Sequence, residues 1–348
     1  MLVDLCVAVL LLGIVLYAVL GGADFGAGFW DLTAGGAQRG SRLRGMVKAA
    51  MGPVWEANHV WLIFVLVVFW TAFPTAFGAV MQTLYIPLFL AAVGIIFRGT
   101  AFAVRGQAAT IAEARVTGAA FALASVLIPF FLGATLGAVA SGRVPFGEPG
   151  DPITSWANPT GILAGALAVA VGTYVAAVYL SGDSVKAGAE DLADAFRRRA
   201  LGAAGAAGAI SVAGLFVIRS DAPSLYGGLT SGSGLAMVIA SIVVGALTLA
   251  MLATRRFEVA RYTSGVTVST VLVGMALAMR PDFLPGQLTL ADAAAGEPTL
   301  IATLVVTAIA VVVLAPALFL LYRLVLQGRL DRDFHPLLAA EHHEEAGR

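Results

Sequence analysis

Apolar residues in this chain come in long unbroken runs rather than in the alternating or every-third-or-fourth patterns of soluble strands and helices. Nine runs of membrane-spanning length follow one another, at about 3–29, 54–73, 78–97, 117–140, 160–180, 201–218, 234–253, 263–279 and 299–322. A helix needs about 20 apolar residues to cross a bilayer, so the pattern predicts an all-α polytopic membrane protein with nine transmembrane helices. The far end of the first run is interrupted by Gly21, Gly22, Gly26 and Gly28. The second and third runs are separated by Thr71-Ala-Phe-Pro74, where Pro74 suits a tight turn.

Polar segments between the runs are short. Residues 141–159 and 280–298, rich in Pro, Gly and Asp, read as loops. Residues 181–200 are charged and are expected to form an amphipathic helix with Arg197, Arg198 and Arg199 at the membrane surface. Residues 328–348 read as a polar tail. No boundary for a soluble domain appears, so 1–348 is expected to be one integral membrane domain.

Composition sharpens this picture at a few points. Only 12% of residues are charged and 59% are hydrophobic, against about a quarter charged in soluble domains. Lys and Arg balance Asp and Glu at 21 each, and no basic tract long enough to grip nucleic acid occurs. The single cysteine, Cys6, excludes an internal disulfide or a cysteine-based metal cluster within one chain. The N-terminus lacks the basic start of a signal peptide, so the first run is expected to be a retained span.

Charge asymmetry supplies the orientation. Of the 21 Lys and Arg residues, 18 fall in the alternate segments 30–53, 98–116, 181–200, 254–262 and 323–348. Arg143, Arg219 and Arg280 are the other three. The positive-inside rule then puts the N-terminus outside and the C-terminus in the cytoplasm. It also places Asp24, near the inner end of the first span, level with Glu56 and His59 at the start of the second.

Ionisable groups inside apolar runs are costly and point to function. Here they concentrate in Gly21-Gly-Ala-Asp-Phe-Gly-Ala-Gly28 and in Trp55-Glu-Ala-Asn-His-Val-Trp61. Glu56 and His59 are three residues apart and share a helix face. They read either as a proton relay or as an interfacial pair marking a helix start. Asp24 reads either as a functional carboxylate or as part of a glycine packing seam, with Gly22 and Gly26 spaced for close helix approach. Asp31 reads as an interfacial charge, and Arg98 as a snorkelling residue that ends the third span. His59 is the one histidine near a span, and no Cys-x-x-Cys-His is present, so the chain reads as ligating neither haem nor metal. A secondary transporter without redox partners is the competing class. The absence of Asp, Glu, Lys and His inside the later spans weighs against it.

At these positions the chain resembles subunit II of the cytochrome bd-type quinol oxidases. The resemblance rests on Gly21–Gly28, on Gly52-Pro-Val-Trp-Glu-Ala-Asn-His-Val-Trp61 and on Phe97-Arg-Gly-Thr-Ala-Phe102, with Val144-Pro-Phe146, Asn158-Pro-Thr-Gly161 and Gly328-Arg-Leu-Asp-Arg-Asp-Phe334 in support. It implies two four-helix bundles plus a peripheral helix, in a bacterial or archaeal plasma membrane. It also implies a heterodimer that oxidises quinol and reduces dioxygen to water. Two b-type haems and one d-type haem then belong to the partner subunit I, and this chain alone is inactive. A small single-span accessory subunit, lipid and quinone are further partners of such complexes. By position, Glu56 and Asp24 match acidic residues of a cytoplasmic proton pathway, supported by Trp55, Asn58, His59 and Trp61. Some family members carry Asp-Gly-Asn-Gln in place of Glu56-Ala-Asn-His59, which leaves a direct role for His59 open.

The orientation is testable with reporter fusions. A fluorescent protein fused after Arg348 is expected to fluoresce, and alkaline phosphatase fused there to be inactive. An active phosphatase fusion would reverse the orientation.

Overall fold

The computed structural model describes residues 1–36, 40–51, 55–105 and 111–326. The expected tail at 328–348, residues Gly52, Pro53 and Val54, and the side chain of Trp55 lie outside the described part. The helices are α1 (Leu2–Leu32), α2 (Ser41–Met51), α3 (Trp55–Ala72), α4 (Pro74–Thr83), α5 (Tyr85–Arg105), α6 (Ile111–Ala140) and α7 (Pro159–Lys186). They continue as α8 (Glu190–Asp221), α9 (Pro223–Leu229), α10 (Gly232–Ala253) and α11 (Phe257–Met279). A small antiparallel hairpin, β1 (Asp282–Leu284) with β2 (Leu288–Thr289), then leads through α12 (Leu290–Ala293) to α13 (Glu297–Leu326).

Among the described residues, eight helices are long and apolar enough to cross a membrane, and nine if the bent pair α3–α4 counts as one span. The bend is 118°. Pro74 opens α4, where its missing N–H leaves no unmade bond within the helix. Ala76, Ala79, Val80 and Thr83 bury one face of α4. The apolar run expected from residue 78 therefore divides. Its first part belongs to a side-lying helix, and the straight helix starts only at Tyr85.

Residues 181–200 also differ from expectation. They form the meeting ends of α7 and α8 rather than a separate surface helix. Gly188 explains the sharp reversal, because it adopts φ +71°, a conformation open to glycine at little cost. The Gly188 N–H bonds to Val185 O at 3.0 Å and the Ala189 N–H to Ser184 O at 2.9 Å, the paired bonds of a left-handed helix stop.

In packing, α1, α3, α5 and α6 form one group of four and α7, α8, α10 and α11 another. Helix α13 lies at the edge against α1 and α3, with Val306, Val312 and Phe319 exposed. The two groups join where α7 packs against both α6 and α1. A Cβ added to Gly26 would lie 2.0 Å from Gly172 O, so only glycine permits that approach. The Trp30 indole N–H donates to Thr173 O at 2.9 Å beside the crossing.

Ion pairs collect at the two ends of the bundle. At one end, Arg42 binds Asp191 with two bonds of 2.7 and 3.0 Å, Lys186 meets Glu258 at 2.8 Å, Arg255 meets Asp194 at 2.8 Å and Arg261 pairs with Asp183. At the other end Arg280 pairs with Asp4, and Arg143 grips Asp221 through two bonds of 3.0 and 2.6 Å. Arg143 also donates to Asn158, whose side chain caps α7 by accepting from the Gly161 N–H at 2.9 Å. In the nearby loop the Asp151 carboxylate accepts the Thr154 and Ile153 N–H groups, which hold its pKa below the usual carboxylate range. These pairs put segments 30–53, 181–200 and 254–262 at one end, as the alternation of basic residues requires.

The crossing gives a direct test. Gly26→Ala is expected to lower the stability of the purified protein by about 1–3 kcal/mol, since backbone atoms must move. Gly202→Ala, at a helical glycine with nothing within 4 Å, is expected to be neutral or to stabilise by up to about 1 kcal/mol. Thermal unfolding of the two variants side by side checks both.

Candidate functional site: a buried Asp24–Asn58–Arg98 cluster

Helix α1 is not a regular α-helix throughout. Tyr17–Gly21 forms a π-turn in which the Gly22 N–H bonds to Tyr17 O, five residues back. Such turns widen the helix and occur frequently at functional sites. The carbonyl of Leu20, within this turn, accepts the Asn58 side-chain amide at 3.4 Å. Immediately after it, α1 carries Asp24 and Phe25 into the core.

Asp24 is 3% exposed. Its carboxylate accepts a 2.6 Å hydrogen bond from the Asn58 amide. Asn58 is itself buried and comes from the second turn of α3, so the two motifs singled out in the sequence meet directly. An ionised or protonated carboxyl can use that amide, which makes Asn58 a fitting partner for a carboxyl that exchanges protons.

Arg98 completes the cluster from α5. It is the largest fully buried side chain described, at 1% exposure. Its Nη2 donates to the backbone carbonyl of Asp24 at 3.0 Å. Its guanidinium carbon lies 4.6 Å from the centre of the Phe25 ring and 5.0 Å from that of Phe121. Asp24 and Arg98 are thus opposite charges buried in one cluster, linked through the Asp24 backbone carbonyl. The expectation that Arg98 snorkels is thus overturned. A stem at the end of a span can reach inward as well as outward, and here an opposite charge and two ring faces draw it in.

The other motif residues take different places. Glu56 sits in the first turn of α3 and is exposed. It lies two residues before Asn58, roughly 200° around the helix, so Glu56 faces outward while Asn58 faces Asp24. His59 is half-buried, its ring edge-on to Tyr17 and Phe25 at 6.3 and 5.9 Å between centres. Trp61 packs with Tyr17, Phe25 and Ile128. Gly22 and Gly26 line the crossing with α7. Asp31, expected at the interface, is 5% exposed with Arg44 Nε 3.9 Å away. It stands seven residues, or two turns, from Asp24 and shares its face.

The His59 ring packs beside a cluster that includes Trp61 and Leu62. Among the described residues, no group of three or more His, Cys, Asp or Glu side chains is placed to hold a metal ion.

Removing one member of a buried opposite-charge couple leaves the other uncompensated. Arg98→Gln is therefore expected to destabilise the protein by about 3 kcal/mol or more. The double variant Asp24→Asn with Arg98→Gln is expected to lose at least about 1 kcal/mol less than the sum of the two singles. Additive losses in thermal or denaturant unfolding would show that the two charges do not couple.

Comparison with known proteins agrees with this architecture. The family described as "Cytochrome bd terminal oxidase subunit II" matches residues 2–325. A curated relative, cytochrome bd ubiquinol oxidase subunit 2 of Bacillus subtilis (strain 168), is 31% identical over 127 residues, an alignment that spans 36% of this chain and 36% of that protein. The bd oxidase structure from Geobacillus thermodenitrificans contains a chain of the same fold, with a TM-score of 0.73 at 23% identity over 93% of this chain and 98% of that one. With its family matched across nearly all of its length and its helices arranged as in that structure, the chain belongs to the cytochrome bd terminal oxidase subunit II family.

Proposed function

We propose that this chain is the non-haem subunit of a quinol:oxygen oxidoreductase of the bd type, and that it supplies part of a cytoplasmic proton path. In this reading a haem-bearing subunit I holds the b-type and d-type haems and oxidises quinol. Protons for water formation are drawn from the cytoplasm, so the reaction charges the membrane without a pump. The family membership supports the complex, and the exposed apolar side chains of α8, α10 and α13 leave room for a membrane partner.

The observation that carries the proton path is the direct bond between Asn58 and the buried carboxyl of Asp24. Glu56, exposed at the start of the same helix, is the collecting group in this reading. Asp24 is the inner station, and Asn58 fixes the orientation of its carboxyl. Arg98 stands against the Asp24 backbone carbonyl and sets the local field. Trp55 and Trp61 flank the path in sequence, and Trp61 packs against the Tyr17–Phe25 cluster beside it. The chain takes no catalytic step alone.

Asp24→Asn preserves shape and the bond to Asn58 but holds no exchangeable acid. In the assembled complex with normal haem absorption, it is expected to slow quinol-driven oxygen uptake by roughly tenfold or more. Glu56→Gln is expected to slow it less, because a surface collecting group has water as a substitute. Wild-type turnover and proton uptake in the Asp24→Asn complex would remove Asp24 from the path.

A further inference from the structure

Two side chains of the central cluster have polar atoms that no protein group meets. Arg98 Nε and Nη1 and the Tyr17 hydroxyl are buried and unbonded among the described residues. Arg98 is 1% exposed and Tyr17 9%. Both flank the same ring, with Tyr17 edge-on to Phe25 at 6.1 Å between centres and the Arg98 guanidinium 4.6 Å from it. Phe25 is thus the shared neighbour of the two side chains.

Buried donors left without acceptors cost about 1–3 kcal/mol each, more when charged. Three such atoms on two side chains that pack on one ring therefore call for a ligand. Ring faces do not supply it, because an aromatic π-cloud is a weak acceptor. Nor can a partner subunit or a lipid headgroup reach in, because the side chains are already closed off within this chain. An anion is disfavoured as well, since Asp24 already supplies the negative charge facing Arg98. What remains is a small neutral molecule able both to accept from Arg98 and to exchange a hydrogen bond with a phenol.

We propose that Tyr17 and Arg98 hold ordered water between them, forming an internal hydration site next to Asp24. The water accepts from Arg98 Nε or Nη1 and bonds to Tyr17 Oη, within the two to four polar partners that buried waters use. The π-turn serves this site. It starts at Tyr17, and seven residues, about 10 Å of helix, separate Tyr17 from Asp24. This inference does not rest on Asp24 carrying protons, since it concerns only how buried polar atoms are satisfied.

The test is an electron-microscopy map of the whole oxidase complex, at a resolution that shows other buried waters, for the wild type and Tyr17→Phe. The expected wild-type map has density within hydrogen-bond reach of both Tyr17 Oη and Arg98 Nε or Nη1. In Tyr17→Phe the water nearest position 17 is expected to disappear while Arg98 keeps its place. Three results would overturn the proposal: empty space there, a direct Tyr17–Arg98 bond, or a protein or lipid group from outside this chain on those atoms. Unchanged water positions in Tyr17→Phe would do so as well. If that variant does not assemble, the wild-type map alone decides.

Discussion

A whole positive charge is held at Arg98 inside a protein built to face hydrocarbon, and much of the surrounding structure answers to that fact. Burying an isolated guanidinium is prohibitive, so the chain must bring a negative charge, hydrogen-bond acceptors and polarisable rings to it. Asp24, its backbone carbonyl, Phe25 and Phe121 do so from α1 and α6. Asp24 in turn needs a donor, which α3 supplies through Asn58. One cation thus fixes the relative placement of four helices, and each helix arrives through a different local device. Helix α1 uses a π-turn, α3 a polar face opened at its second turn, and α5 a charged residue at the inner side of an apolar run.

Close backbone approach does the complementary work between the two groups of helices. In a bilayer, apolar side chains gain little by leaving lipid for protein, so tight packing and hydrogen bonds must drive association. The Gly26–Gly172 contact lets α1 sink against α7, and the Trp30–Thr173 bond fixes its rotation. The ion pairs at the two ends are largely exposed and contribute little each. Their value is in recording which loops lie together.

Much of this was legible in the sequence, for identifiable reasons. Long apolar runs announce membrane helices because length and hydropathy are imposed by the bilayer. The alternation of Lys and Arg sorts the loops into two sets, and the ion pairs of the structure join segments of the same set. The glycine-rich stretch and the Trp-Glu-Ala-Asn-His-Val-Trp stretch stood out as polar interruptions, and the structure places Asn58 of one on Asp24 of the other. The burial of Arg98 is not legible, because a basic residue at the end of an apolar run looks the same whether it reaches to water or into the core. The one available signal was its position between bulky Phe97 and Phe102 in a stretch shared with the resembled family. Asp31 could have been read better, since its seven-residue spacing from Asp24 puts both on one face. The turn at Pro74 is legible, but the separate short helix α4 that follows it is not, because hydropathy carries no direction.

The π-turn has one more consequence, which concerns the bookkeeping of residues rather than their chemistry. A five-residue-back bond accommodates one residue more than the α-helical course would. Were the turn to tighten into a regular α-helix with every residue kept, everything beyond it would turn by about 100° relative to Leu2–Leu16. Asp24 would leave the face of Asn58 and Gly26 the face of Gly172, although every one of those residues would still be present. The first helix therefore encodes its site by count as well as by identity.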